Sequence, residues 1–123
     1  MIKYILLLSL LLTTNLCSYI AEELSGVWGN VDKETFISFD GFGEGNFIHH
    51  TGGNFSNVGK YKFKGKTLTL NYEYIENAIE RRRDEFTEKY VIELGFLNSG
   101  LRYLKLHKLN KKEYLGPYYF RNR

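Results

Sequence analysis

From Thr67 the chain alternates for eight residues. Leu68, Leu70, Tyr72 and Tyr74 fall on one side; Thr67, Thr69, Asn71 and Glu73 fall on the other. A period of two is the mark of a strand with one dry and one wet face. Weaker versions of the same signal recur along the chain. Val27–Val31 surrounds the single tryptophan, and Thr35–Phe39 sets Ile37 and Phe39 against Phe36 and Ser38. Asn46–Thr51 is short, and Val58–Phe63 sets Tyr61 and Phe63 against Lys60 and Lys62. Thr87–Leu94 lines up Tyr90, Ile92 and Leu94; Leu101–Leu109 lines up Leu104 and Leu106; Tyr114–Arg121 comes last. A slip in the alternation near Tyr103 predicts a bulge, and Pro117 requires an edge or bulge position because it has no N–H to give a ladder. Ile75–Phe86 is ambiguous. Ile75 and Ile79 are four apart, as on a helix face, amid seven charged residues. The alternation on both flanks favours two strand ends and a loop over a short helix.

These segments number about eight, are evenly spaced, and are separated by polar or glycine-rich turns such as Asp40-Gly41, Gly52-Gly53 and Lys64-Gly65-Lys66. The 123 residues suffice for one domain. A meander of neighbouring strands leaves two open edges unless it closes. Eight strands close into a barrel whose interior holds side chains or one small ligand. The predicted fold is therefore all-β, an antiparallel up-and-down barrel over residues 19–123.

Residues 1–18 read differently. Lys3 is followed by an apolar run from Tyr4 to Leu12 and a more polar exit, Thr13 to Ser18. That is the layout of a secretory signal peptide, and the run is too short to span a bilayer. The expected location is therefore periplasmic or extracellular. Cys17 is the only cysteine, so no internal disulfide supports the fold. It stands where a bacterial lipoprotein carries its acylated cysteine. Two outcomes stay open, a discarded leader cysteine and a lipid anchor, and only the second ties the domain to a membrane.

Leu24-Ser25-Gly26-Val27-Trp28 resembles the Gly-x-Trp opening of lipocalins and of small bacterial lipocalin-like domains. The later order is similar too: an aspartate–glycine turn after the second strand, Gly59-Lys60-Tyr61-Lys62-Phe63, Thr67-Leu68-Thr69-Leu70, and Arg102-Tyr103-Leu104-Lys105-Leu106. The resemblance implies a barrel with Trp28 plugging one end behind Gly26. It also implies a basic residue from a late strand lying across the indole, for which Arg121 is the candidate. The opening is similar to that of avidins as well, but a single tryptophan cannot build their biotin pocket.

Composition and charge narrow the chemistry. Without the leader, 16 basic residues stand against 14 acidic, too small an excess to argue for nucleic acid. His49 and His50 are adjacent, so on a strand they point to opposite faces and cannot share one metal. No metal or other cofactor is implied. No nucleophile sits in a recognisable motif, so an enzyme is not expected. Arg81-Arg82-Arg83 is neutralised by Glu80, Asp84 and Glu85 and reads as a solvated face. The glycine-rich stretches lack the Lys-Ser/Thr of a phosphate loop. The best lead is the aromatic inner face: Phe39, Phe47, Tyr61, Phe63, Tyr72, Tyr74 and Tyr90, with Phe120, offer apolar walls with hydroxyl handles. Two readings follow. One is an exported barrel binding a small apolar or amphipathic molecule. The other is a packed barrel acting through its surface as an envelope interaction, inhibitor or immunity protein.

Overall fold

The computed structural model describes residues 24–31 and 34–122. The leader and Cys17 lie outside the described residues. Eight strands follow one another: β1 (Gly26–Gly29), β2 (Phe36–Phe39), β3 (Glu44–His50), β4 (Ser56–Lys64), β5 (Thr67–Glu76), β6 (Arg81–Phe96), β7 (Arg102–Lys108) and β8 (Tyr114–Asn122). Each pairs antiparallel with its neighbours in sequence, and β1 pairs with β8, so the sheet is a closed up-and-down barrel.

The period of two decides what lies inside. Leu68, Leu70 and Tyr72 of β5 are buried, as are Ile37 and Phe39, Phe47 and His49, Tyr61 and Phe63, Tyr90 and Ile92, and Leu104 and Leu106. The ambiguous stretch after Tyr74 is strand on both sides of a tight turn. β5 runs to Glu76 and β6 starts at Arg81. Asn77 closes the turn, its side-chain oxygen accepting from the N–H groups of Ile79 and Glu80 at 2.8 Å each. An asparagine side chain bonding its own backbone two and three residues on is a turn device, which removes the need for a helix.

The barrel is irregular in three places that matter for the site. The β7–β8 register shifts between Leu104 and Leu106, opposite the cis Gly116–Pro117 peptide, so Pro117 occupies a bulge. The β4–β5 register shifts between Val58 and Gly59, and the β5–β6 register between Tyr72 and Tyr74. At the first of these shifts the strands nearly touch. A Cβ on Gly59 would sit 2.0 Å from the Asn71 carbonyl oxygen. Gly59→Ala is therefore expected to cost about 1–3 kcal/mol through forced backbone displacement. Urea denaturation measures this, and a change below a few tenths would contradict the close approach.

One strand is also longer than its partner. β6 has 16 residues, yet only Tyr90–Phe96 pair with β7. Arg81–Phe86 pair with β5 alone, as a ribbon that reaches past the end of β7. A cleft opens where β7 stops.

Candidate functional site

One end of the barrel is plugged. Trp28 has no exposed surface, and its indole N–H donates to the Leu24 carbonyl at 2.8 Å. Phe120 meets it edge-on at 5.2 Å. A guanidinium does lie over the indole, but it comes from Arg102, the first residue of β7, 5.3 Å from the Trp28 ring and 4.9 Å from Phe120. Arg121, the residue expected there, instead lies against Gly29, where a Cβ would strike it, and donates to the Asn30 carbonyl at 3.2 Å. The reason is the local strand phase. Phe120 is level with Trp28 across the β1–β8 ladder and takes the inner position, so Arg121, next along the strand, faces out. Arg102→Ala is expected to lose about 0.5–2 kcal/mol of cation–π attraction, and Arg121→Ala less than about 0.5. Thermal denaturation of both variants checks the assignment, and the reverse order would overturn it.

The aromatic residues singled out as a pocket wall divide in two. Phe39, Phe47, Tyr61, Phe63, Tyr72 and Tyr90 are buried together. They pack on one another more than they surround a space: Phe39 meets Tyr61 edge-on at 4.9 Å, and Phe47 meets Tyr72 at 5.0 Å. Tyr61 also donates its hydroxyl to the Asp40 carbonyl, and burial raises its pKa to about 12. Tyr74 is not on this face. The register shift after Tyr72 sets Tyr74 level with Val58 and, through it, with exposed Ile48. Its ring lies under Arg81 at 4.7 Å and Arg83 at 6.0 Å. The arginine run is engaged as well: Arg81 pairs with Glu76, Arg83 with Glu85, and Arg82 covers Phe55.

The interior carries a polar chain that the aromatic pattern hides. His49 is buried, in phase with Phe47, whereas His50 faces away, stacks on Phe36 and bonds the Ser56 hydroxyl at 2.8 Å. His49 Nδ1 is 3.1 Å from the Tyr72 hydroxyl, and Nε2 is 3.3 Å from the Tyr118 hydroxyl. Tyr72 interacts with Tyr90 in the same cluster, and Tyr90 donates to the Glu88 carboxylate. Glu88 is in phase with Tyr90 and Ile92, so this carboxylate points inward.

An ionised carboxylate only accepts, so Tyr90 spends its one proton on Glu88. The Tyr72 hydroxyl flanks His49 Nδ1 and the Tyr118 hydroxyl flanks Nε2. The imidazole is held neutral by its burial. Burial pushes its pKa down to about 4, against an upward pull from Glu88 and with a smaller downward push from His50. Burial likewise raises Tyr72, Tyr90 and Tyr118, and the bond to Glu88 raises Tyr90 further. No buried side-chain nitrogen or oxygen is left without a partner among the described residues. Both His49 nitrogens are occupied, so it has no lone pair free for a metal. Among the described residues, no three histidine, cysteine, aspartate or glutamate side chains come together as a metal site.

This chain ends in the cleft left by the shortness of β7. Glu88, Lys89 and Tyr90 of β6 face Lys108, Leu109 and Lys111 across an open space of about 160 Å³. The Leu109 N–H donates to the Lys89 carbonyl at 3.3 Å and closes the cleft floor. On β7, the cleft lies at the Lys108 end and the Trp28 plug at the Arg102 end. Glu88, His49, Tyr118 and Lys108 were absent from the sequence-based site. Period-two phase with Phe47 and with Tyr90 was the available signal for the first two.

The architecture is thus a closed, eight-stranded, antiparallel up-and-down barrel, plugged at one end and compatible with a lipocalin-like barrel. Comparison with known protein families, with curated proteins and with solved structures finds no match.

Proposed function

We propose that this chain is an exported, lipocalin-like barrel that binds a small ligand non-covalently, without catalysing a reaction, in the cleft between β6 and β7. The observation that carries this reading is Glu88. It is an inward-facing carboxylate in an interior otherwise made of apolar groups, tyrosine hydroxyls and the His49 imidazole, and among the described residues its donor is Tyr90. A polar chain with every group satisfied and one end opening to a cleft is a pre-formed site rather than a core defect. The apolar ligand expected from the aromatic face is reduced in size. The rings fill the barrel, so the ligand is a small molecule at its side opening and not a lipid in its centre. Export rests on the leader pattern, with the Cys17 anchor as its membrane-bound variant.

The test is native mass spectrometry of the protein purified from its own host. A reproducible added mass of a few hundred daltons or less, lost on denaturation, is expected. A bare polypeptide with no uptake of small probes would sink the reading. The alternative, a packed barrel acting on an envelope protein, is favoured by one observation: β6 from Arg81 to Phe86 pairs on one side only. An open strand edge is where a partner strand adds. Co-purification of a stoichiometric protein partner, with no small-molecule mass, would decide for it.

A further inference from the structure

The cleft holds opposite charges that do not neutralise one another. Lys108 is level with Tyr90 and in phase with buried Leu104 and Leu106, so its stem starts on the inner face, as does that of Glu88. Glu88 and Lys108 stand two residues out of register across the β6–β7 seam. Such diagonal neighbours start about 7–8 Å apart, within easy reach of each other. They do not meet. Lys108 Nζ turns to Glu113 Oε2 at 3.5 Å, a pair whose glutamate is 71% exposed. Exposed pairs of that kind contribute about 0–1 kcal/mol and are readily exchanged. Among the described residues, Glu88 keeps its bond from Tyr90 and gains no cation. His49, neutral above its lowered pKa, does not compensate it.

We propose that this cleft receives a free α-amino acid, its ammonium on Glu88 and its carboxylate on Lys108, with Tyr90 and Leu109 against the side chain. The inference rests on the cleft being the binding site. Charge selects the ligand class. A simple amine satisfies Glu88 but brings a second cation beside Lys108. A simple acid satisfies the lysines but sets a second carboxylate against Glu88. Only a zwitterion of short span answers both ends. Size agrees, since the open space of about 160 Å³ is room for a small amino acid. Tyr90, fixed between Tyr72 and Glu88, holds the carboxylate in place before the ligand arrives, which lowers the cost of binding.

Isothermal titration of the purified chain with three matched probes tests this. Leucine carries both charges, isoamylamine only the ammonium, and 4-methylpentanoate only the carboxylate. Leucine is expected to bind, and each single-charge analogue to bind at least about ten-fold more weakly. Glu88→Gln, which still accepts from Tyr90, and Lys108→Met are each expected to weaken leucine about ten-fold while leaving the melting temperature unchanged. Equal binding of leucine and either analogue would overturn the zwitterion assignment while keeping the cleft as a ligand site. So would binding of uncharged isoamyl alcohol without leucine. No binding of any probe, together with a bare native mass, would overturn the cleft reading itself.

Discussion

Trp28→Ala is expected to remove about 3–5 kcal/mol of folding stability, enough to leave the domain largely unfolded at physiological temperature. The indole is fully buried and holds four features of the plugged end together. It closes β1 against β8 through Phe120, ties Leu24 to the barrel through its N–H, supports Arg102 on its face, and lies between Gly26 and Gly29. Alanine leaves a large cavity, an unanswered Leu24 carbonyl and a guanidinium with Phe120 alone beneath it. Trp28→Phe separates these terms, since it keeps most of the volume but loses the hydrogen bond. It is expected to recover more than half of the loss. Urea denaturation followed by far-ultraviolet circular dichroism is the measurement, because the variant has no tryptophan to report. A loss below about 1 kcal/mol for alanine would mean that the plug is not structural.

Acid is expected to weaken the barrel well before its carboxylates are all protonated. The folded state holds His49 neutral with a pKa of about 4, while the unfolded chain binds the proton near the ordinary value of 6.5. Between those values the unfolded state carries the extra proton, so stability rises with pH there. The stabilisation is fully present above about 6.5 and is lost as pH falls to about 4. At about 1.4 kcal/mol per pH unit the loss totals roughly 3 kcal/mol. The physical event is a second proton forced onto the imidazole, which places a charge among buried rings. His49→Gln, unable to titrate, is expected to flatten this window even if it lowers overall stability. Denaturation midpoints at half-unit steps from pH 7 to 4 check it. An unaltered slope in the variant would assign the acid sensitivity elsewhere. Glu93, held low chiefly by its hydrogen bond from His107, contributes in the same direction, but at lower pH.

Much of the fold is legible along the chain, because burial on one face imposes a period of two and turns demand particular residues. Thr67–Tyr74 and Val58–Phe63 each announce their strand, the turn residues place most breaks, and Pro117 announces its bulge. The histidine pair shows where such reading stops. Alternation places His49 and His50 on opposite faces, and they are so placed. Nothing in the letters tells which face is inside until Phe47 is known to be buried. Glu88 carries the same lesson. A glutamate among Lys89, Thr87 and Glu85 looks like surface, and only its phase with Tyr90 and Ile92 turns it inward.

The sequence by itself determined the strand number, the antiparallel order and the aromatic character of the interior, since each depends on neighbours a few residues away. Tertiary structure alone decided the rest. The register shift after Tyr72 turned Tyr74 outward, because one extra residue in a ladder inverts every side chain beyond it. The phase of β8 gave the indole to Arg102 instead of Arg121. The unequal lengths of β6 and β7 opened the cleft and set Glu88 diagonal to Lys108, a juxtaposition of residues 20 apart that only pairing across strands creates.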